Sequence, residues 1–89
     1  MRMSTHASVR RPQQRAIKTR ARLIQSAIDE FAEKGFEGAS TGEIASRAGV
    51  AQSAVPYHFK TKDLLWKAAG DELFGLLAER LTARLQGLQ

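Results

Sequence analysis

The sequence lacks cysteine and has no long apolar run. Without cysteine the chain can form neither a disulfide framework nor a thiolate metal site, and His6 and His58 lie too far apart in sequence to suggest a pair of metal ligands. No stretch approaches the roughly 18 to 20 consecutive apolar residues of a membrane-spanning helix. No apolar segment of the secretory type follows the early arginines. We therefore expect no metal, no cofactor and no membrane contact.

Patterns typical of enzymes are missing as well. The sequence shows no paired carboxylates in a cleft-forming pattern, no glycine-rich phosphate loop and no nucleophile beside a base. Its 89 residues leave room for one small domain and no second core. Apolar residues make up 43% of the chain, which excludes a wholly disordered protein. These features predict a small folded domain that is not an enzyme.

Acidic residues are absent from the first part of the chain. Seven basic residues and no acid precede Asp29, whereas from Asp29 onward seven basic residues accompany nine acids. A polyanion such as nucleic acid is a natural partner for a segment of this kind. A solvated tail or an organelle transit peptide would share the composition, so the charge pattern by itself leaves these alternatives open.

The first helix is predicted from Ile17, where apolar residues begin to recur every three or four positions, and Gly35 is predicted to end it. The apolar face consists of Ile17, Ala21, Ile24, Ala27, Ile28 and Phe31. Asp29, Glu30 and Glu33 are expected on the outer face. Residues 1 to about 15 show no apolar period, so we expect them to be unstructured unless a partner orders them.

Two short helices are predicted next. Ser40 and Glu43 have the spacing of a reciprocal capping box over the start of the second helix, and Gly49 is suited to the left-handed residue that closes it. The third helix runs through Phe59 and contains Pro56. If Ser53 is its N-cap, this proline falls at the third helical position, where the missing N–H costs little. We therefore predict a late-starting or locally distorted third helix.

A long fourth helix is predicted to begin near Lys62 or Asp63, with Thr61 as its cap. Its apolar stripe comprises Leu65, Ala69, Leu73, Leu76 and Leu77, widened by Leu64, Trp66, Leu81 and Leu85. This is more apolar surface than a three-helix core can cover, so we expect the helix to continue into, or dock against, further helical structure. The predicted core residues are Phe31, Phe36, Ile44, Val50, Val55, Phe59 and Leu65.

Three segments of the sequence resemble the N-terminal DNA-binding domain of TetR-type (TetR/AcrR) bacterial transcription regulators. They are IQSAIDEFAEKGF at residues 24–36, TGEIASRAGV at 41–50 and YHFKTKDLL at 57–65. Helix order and connector lengths agree over roughly residues 18 to 78. The resemblance implies an all-α, homeodomain-like fold, in which a three-helix head with a helix-turn-helix at about 41–60 is followed by a long fourth helix.

The resemblance also implies a division of the chain and a function. Residues 1–16 would form a basic flexible arm, residues 17–78 the DNA-binding domain, and residues 79–89 the end of a linking helix cut before a ligand-binding and dimerisation domain. Members of the family bind palindromic operators as homodimers and usually repress transcription until a small-molecule effector releases them. The implied partners are double-stranded DNA and, for the full-length protein, a second subunit and an effector, in the bacterial cytoplasm.

The predicted base contacts are Gln52, Ser53 and Ala54, because the first residues of a recognition helix reach the base edges. A glutamine can pair bidentately with adenine, while an alanine can only contact a thymine methyl group or leave room. The alternative for each is a side chain that simply faces solvent.

The predicted phosphate contacts are Thr41, Tyr57, His58 and Lys62, which match family residues that hold the sugar-phosphate backbone. The alternatives are a half-buried packing residue for Tyr57, a surface imidazole for His58 and a pure helix cap for Thr41. In the arm, Arg10, Arg11 and Arg15 would either enter the adjacent minor groove or attract phosphates diffusely.

A second function is compatible with the sequence. The chain could be a helical protein-interaction module, with the basic arm as a targeting segment and the leucine-rich fourth helix as its docking face. Binding through several phosphates weakens steeply with salt, whereas docking of an apolar helix barely responds.

Overall fold

The computed structural model describes the backbone of residues 2–87 and the side chains of residues 11–87. Over this range the chain forms four helices and no strand: α1 (Arg2–Gly38), α2 (Thr41–Ala48), α3 (Ala54–His58) and α4 (Lys62–Gly87). The predicted all-α fold with three helices and a long fourth one is confirmed. None of the helices in the described part of the chain is long and apolar enough to cross a membrane.

The first helix begins much earlier than predicted. Residues 2–16, expected to be a flexible arm, are helical, and Pro12 lies inside the helix. Residues 11–15 are exposed, so the helix in this segment packs against no core. Arginine, glutamine and alanine favour helix on their own, so this segment can be helical without any apolar period. The division of function between residues 1–16, 17–78 and 79–89 stays a prediction.

Regular helix in α1 ends at Gly35, as the sequence predicts. This residue has φ 73° and ψ 177°, a backbone conformation that glycine adopts at little cost. One further turn follows, and the N–H of Ala39 donates to the carbonyl of Gly35 at 3.1 Å. The chain is thereby redirected into α2.

The second helix has one half of the predicted capping box. The Ser40 hydroxyl accepts the N–H of Glu43 at 3.2 Å, but the Ser40 N–H donates to the carboxylate of Glu30 on α1, at 3.1 Å. The reciprocal half of the box is therefore wrong. At the other end Gly49 is left-handed, with φ 71° and ψ 33°, as predicted.

The third helix starts late, with Ser53 at the N-cap and Pro56 at the third helical position. Ahead of it, the N–H groups of Ala54 and Val55 donate to the carbonyls of Ala51 and Gln52, at 2.9 and 3.2 Å. Since the Gln52 carbonyl is already bonded, the missing N–H of Pro56 leaves no acceptor unpaired. The fourth helix has the predicted cap, because the Thr61 hydroxyl accepts the N–H of Leu64 at 3.2 Å.

The core lies where α1, α2, α3 and the first turns of α4 meet. Five of the seven predicted core residues are buried, and Phe36 and Val50 pack half-buried against them. Leu23, which the predicted apolar face omits, is completely buried, while Ile17 is 68% exposed. The buried face of α1 is therefore turned toward Leu23 relative to the predicted one, and it does not extend back to Ile17.

The fourth helix extends beyond the bundle. Leu65 and Ala69 are buried, and Trp66 packs edge-on against Phe31 and Phe36, with ring centroids 4.9 and 5.5 Å away. The rest of the predicted apolar stripe is exposed, and so is Phe74 beside it; the exposed stripe residues are Leu64, Leu73, Leu76, Leu77, Leu81 and Leu85. The head alone does not cover this stripe, in agreement with the prediction.

Candidate nucleic-acid interface

A cleft on the head collects residues from three consecutive elements. Thr41 from the start of α2, Gln52 and Ser53 from the turn before α3, and Lys62 from the start of α4 all line it. Lys60 and Thr61, which link α3 to α4, complete one side. The helix-turn-helix thus brings predicted base contacts and predicted phosphate contacts to one surface.

The residues at the start of α3 differ in accessibility. Gln52 and Ser53 are exposed, whereas Ala54 is half-buried and packs against the core. The exposed pair can reach a partner without rearrangement of the fold. Ala54 offers only part of its methyl group, which suits a thymine contact better than a polar one. The base contacts of these three residues stay predictions.

Tyr57 and His58 lie at the C-terminal end of α3. Tyr57 is 78% exposed, so the alternative of a half-buried packing residue is wrong. Its ring stands edge-on to the half-buried ring of His58, with centroids 4.9 Å apart. An exposed phenol is a competent donor to a phosphate oxygen.

Lys62 makes contacts within the chain. Its ammonium donates to the carbonyl of Glu37 at 3.4 Å and lies 4.8 Å from the centroid of the Phe36 ring. A cation is favourable there, because unpaired carbonyls point outward at the end of a helix. An ammonium has three donors, so these contacts leave N–H groups that can bind a phosphate.

Of the arm residues, neither Arg11 nor Arg15 lines the cleft. Arg11 and Arg15 are exposed on α1, and the side chain of Arg10 lies outside the described residues. The structure adds Arg20, which the sequence patterns did not single out. Its guanidinium lies 4.9 Å from the centroid of the Phe59 ring, beside the end of α3. Its position one helical turn before Ile24, on the apolar face of α1, was the feature of the sequence that could have indicated a place near α3.

Glu30 is the residue that the sequence misplaced most. Expected on the outer face, it is completely buried. Besides the bond from Ser40, its carboxylate lies 3.3 Å from the Lys34 ammonium and 3.7 Å from Nε of Arg47. The backbone hydrogen bond lowers the pKa of Glu30, burial opposes this, and the two cations lower the pKa further.

Arg47 joins α2 to α1. Its guanidinium donates to both carboxylate oxygens of Glu33, at 2.9 and 3.1 Å, and its Nε lies 3.9 Å from Glu43. The paired hydrogen bonds with Arg47 lower the pKa of Glu33 and raise the pKa of Arg47. Although Arg47 belongs to the helix-turn-helix, it therefore holds α2 in place and is not offered to DNA.

Two short helices around a left-handed glycine, with exposed polar residues at the start of the second and cations beside it, define a helix-turn-helix protein of the DNA-binding transcription-regulator class. Residues 23–69 match the profile of the bacterial regulatory proteins of the tetR family. The chain belongs to this family, which confirms the resemblance of its sequence.

Individual relatives agree with this assignment. The HTH-type transcriptional regulator CymR of Pseudomonas putida is 37% identical over 76 residues, which is 85% of this chain and 37% of CymR. A probable acrEF/envCD operon repressor of Escherichia coli (strain K12) is 35% identical over 80 residues, 86% of this chain and 36% of that protein. The regulator AcrR of Shigella flexneri is 39% identical over 57 residues, 64% of this chain and 26% of AcrR. The chain spans roughly a third of the length of such relatives.

Proposed function

We propose that this head recognises a specific double-stranded DNA sequence and that the protein represses transcription from that site. The observation that carries the proposal is that exposed Gln52 and Ser53 line the same cleft as Thr41 and Lys62. Base-reading and backbone-holding groups must be presented together for an α-helix to be fixed in register in the major groove.

In this proposal α3 enters the major groove. Gln52, Ser53 and Ala54 contact base edges, while Thr41 and Lys62 hold the sugar-phosphate backbone. Tyr57 and His58 add phosphate contacts at the far end of α3. The arm residues Arg10, Arg11 and Arg15 supply attraction to the flanking duplex, either in the minor groove or along the phosphates.

The proposal extends to a dimer on a palindromic operator. With only five residues in α3, one head can read few base pairs, and a second head one helical turn away doubles the sequence that is read. Pairing of the subunits and release by a small-molecule effector are assigned to parts of the protein beyond the matched domain. Repression is proposed because one relative is named a probable operon repressor, and action on bacterial DNA in the cytoplasm is part of the same proposal.

The exposed apolar stripe of α4 is the observation that favours the alternative function, a protein-interaction module that docks through this helix. Titration of the protein with labelled duplex DNA at increasing salt distinguishes the two functions. Several phosphate contacts make the logarithm of the affinity fall linearly with the logarithm of the salt concentration. Competition with unrelated duplexes then measures specificity. Binding that ignores salt and DNA sequence would contradict the proposal and favour docking through α4.

A further inference from the structure

Gly42 occupies the second position of α2, at the edge of the cleft. Among the described residues only Gly35 and Gly49 have a positive φ, so the backbone at Gly42 is one that any residue adopts. Glycine is a poorer helix former than alanine. Backbone conformation therefore does not explain a glycine at this position.

The space around Gly42 explains why glycine is suited to this position. A Cβ atom at Gly42 would lie 3.1 Å from the side-chain Nε2 of Gln52, 3.8 Å from the Gln52 Cδ and 3.5 Å from the Ser40 hydroxyl oxygen. The first distance is shorter than an ordinary van der Waals contact. Gly75, a helical glycine of α4, has no heavy atom within 4 Å of the same point. The carboxamide of Gln52 thus occupies the space beside Gly42 that a side chain at this position would need.

We infer that Gly42 is a positioning residue for DNA specificity, acting through Gln52. The inference rests on the proposed function, in which the Gln52 carboxamide reads a base. An exposed glutamine samples many rotamers and loses that freedom when it binds. Seated over the first turn of α2, the carboxamide approaches the duplex from a restricted set of orientations.

The effect of a substitution at Gly42 on the position of the Gln52 carboxamide should increase with the size of the new side chain. In Gly42→Ala the flexible end of Gln52 needs to move by only a few tenths of an ångström. In Gly42→Val the two methyl groups occupy the place of the carboxamide and displace it. Both residues are better helix formers than glycine, so neither substitution is expected to unfold α2.

The test begins with selection of binding sites from duplexes with a randomised core, using the unmodified protein. The affinity for the selected site is then compared with that for sites changed one base pair at a time. A bidentate glutamine–adenine pair corresponds to about 5- to 150-fold discrimination. We expect Gly42→Val to lose about fivefold or more of the preference at one base pair, Gly42→Ala to lose less, and both to keep their affinity for unrelated DNA.

Two controls make the outcome decisive. Gly75→Ala also replaces a helical glycine but faces open space, so it should leave the preference unchanged. In the Gln52→Ala background, Gly42→Val should change nothing further, because the group through which it acts is gone. An unmodified protein without any preference would refute the proposed function. A specific protein whose preference ignores Gly42→Val, or responds to it equally without Gln52, would overturn this inference alone.

Discussion

The buried carboxylate of Glu30 on α1 accepts the backbone N–H of Ser40 at 3.1 Å, at the start of α2. An acceptor from another helix thus satisfies a donor that Glu43 was expected to satisfy locally. Near the end of α2, the guanidinium of Arg47 donates two hydrogen bonds to the carboxylate of Glu33 on α1, with N–O distances of 2.9 and 3.1 Å. The orientation of the helix-turn-helix on α1 is therefore fixed by polar contacts at both ends of α2.

Glu30→Gln should lower the thermal midpoint of unfolding by several degrees, because it replaces the charged acceptor of the Ser40 N–H. The folded state lowers the pKa of Glu30 below its usual 4.5. Its contribution to stability is therefore complete above pH 4.5 and is lost as the pH falls through the lower, folded-state pKa. Urea unfolding at pH 7 and pH 3 should show a smaller pH dependence in the variant. Glu79→Gln on the exposed part of α4 should behave like the unmodified protein, and an equal effect of the two substitutions would contradict the role of Glu30.

Leu23→Ala should lower the free energy of unfolding by about 2 to 5 kcal/mol, since it removes a fully buried side chain and leaves a cavity. Ile17→Ala removes a similar side chain from the same helix, but Ile17 is 68% exposed, so the change should stay within about 0.5 kcal/mol. Urea titration followed by circular dichroism measures both. Equal losses for the two variants would mean that α1 packs through Ile17 in solution.

Lys62→Ala and Gln52→Ala should affect DNA binding in different ways. Loss of a phosphate contact weakens binding to all sequences about equally and reduces the salt slope by about 1. Loss of the glutamine should instead change which sequence is preferred, by about 1 to 3 kcal/mol at one base pair. Fluorescence anisotropy with the selected site and with unrelated duplexes separates these effects.

Lys67→Ala is the matched control for Lys62→Ala, because it removes the same charge from α4 at an exposed position outside the cleft lining. It should leave the salt slope nearly unchanged. If Gln52→Ala and Lys62→Ala reduced affinity uniformly and equally, the assignment of Gln52 to base reading would be wrong.

The 89-residue chain by itself should bind a single half-site weakly. In the proposed dimer the second head binds at a high effective concentration, and the chain alone lacks that advantage. Analytical ultracentrifugation with duplexes that carry one or two half-sites gives both stoichiometry and affinity. Tight binding of one chain to one half-site would rule out the need for a second head.

Local patterns predicted most of the fold. Gly35 and Gly49 end their helices where expected, and Ser53, Pro56 and Thr61 lie at the predicted positions of α3 and α4. Such features depend on a few neighbouring residues, so the sequence contains them directly. The segment 2–16 was missed because its helix has no apolar face. The roles of Gln52, Ser53, Ala54, Thr41, Tyr57, His58 and Lys62 toward DNA stay predictions.

By itself, the sequence determined the helix order, the hydroxyl caps of Ser40 and Thr61, the glycine turn and the family, because these depend on local chemistry and on spacing along the chain. Only the tertiary structure showed that Glu30 is buried, that Arg47 is taken up by Glu33 and that Gln52 rests on Gly42. The partners in each of these contacts are ten or more positions apart, except where a helix turn brings Lys34 to Glu30. The packing of α1, α2 and α3 against one another decides which face of each helix is buried and which residues bury it.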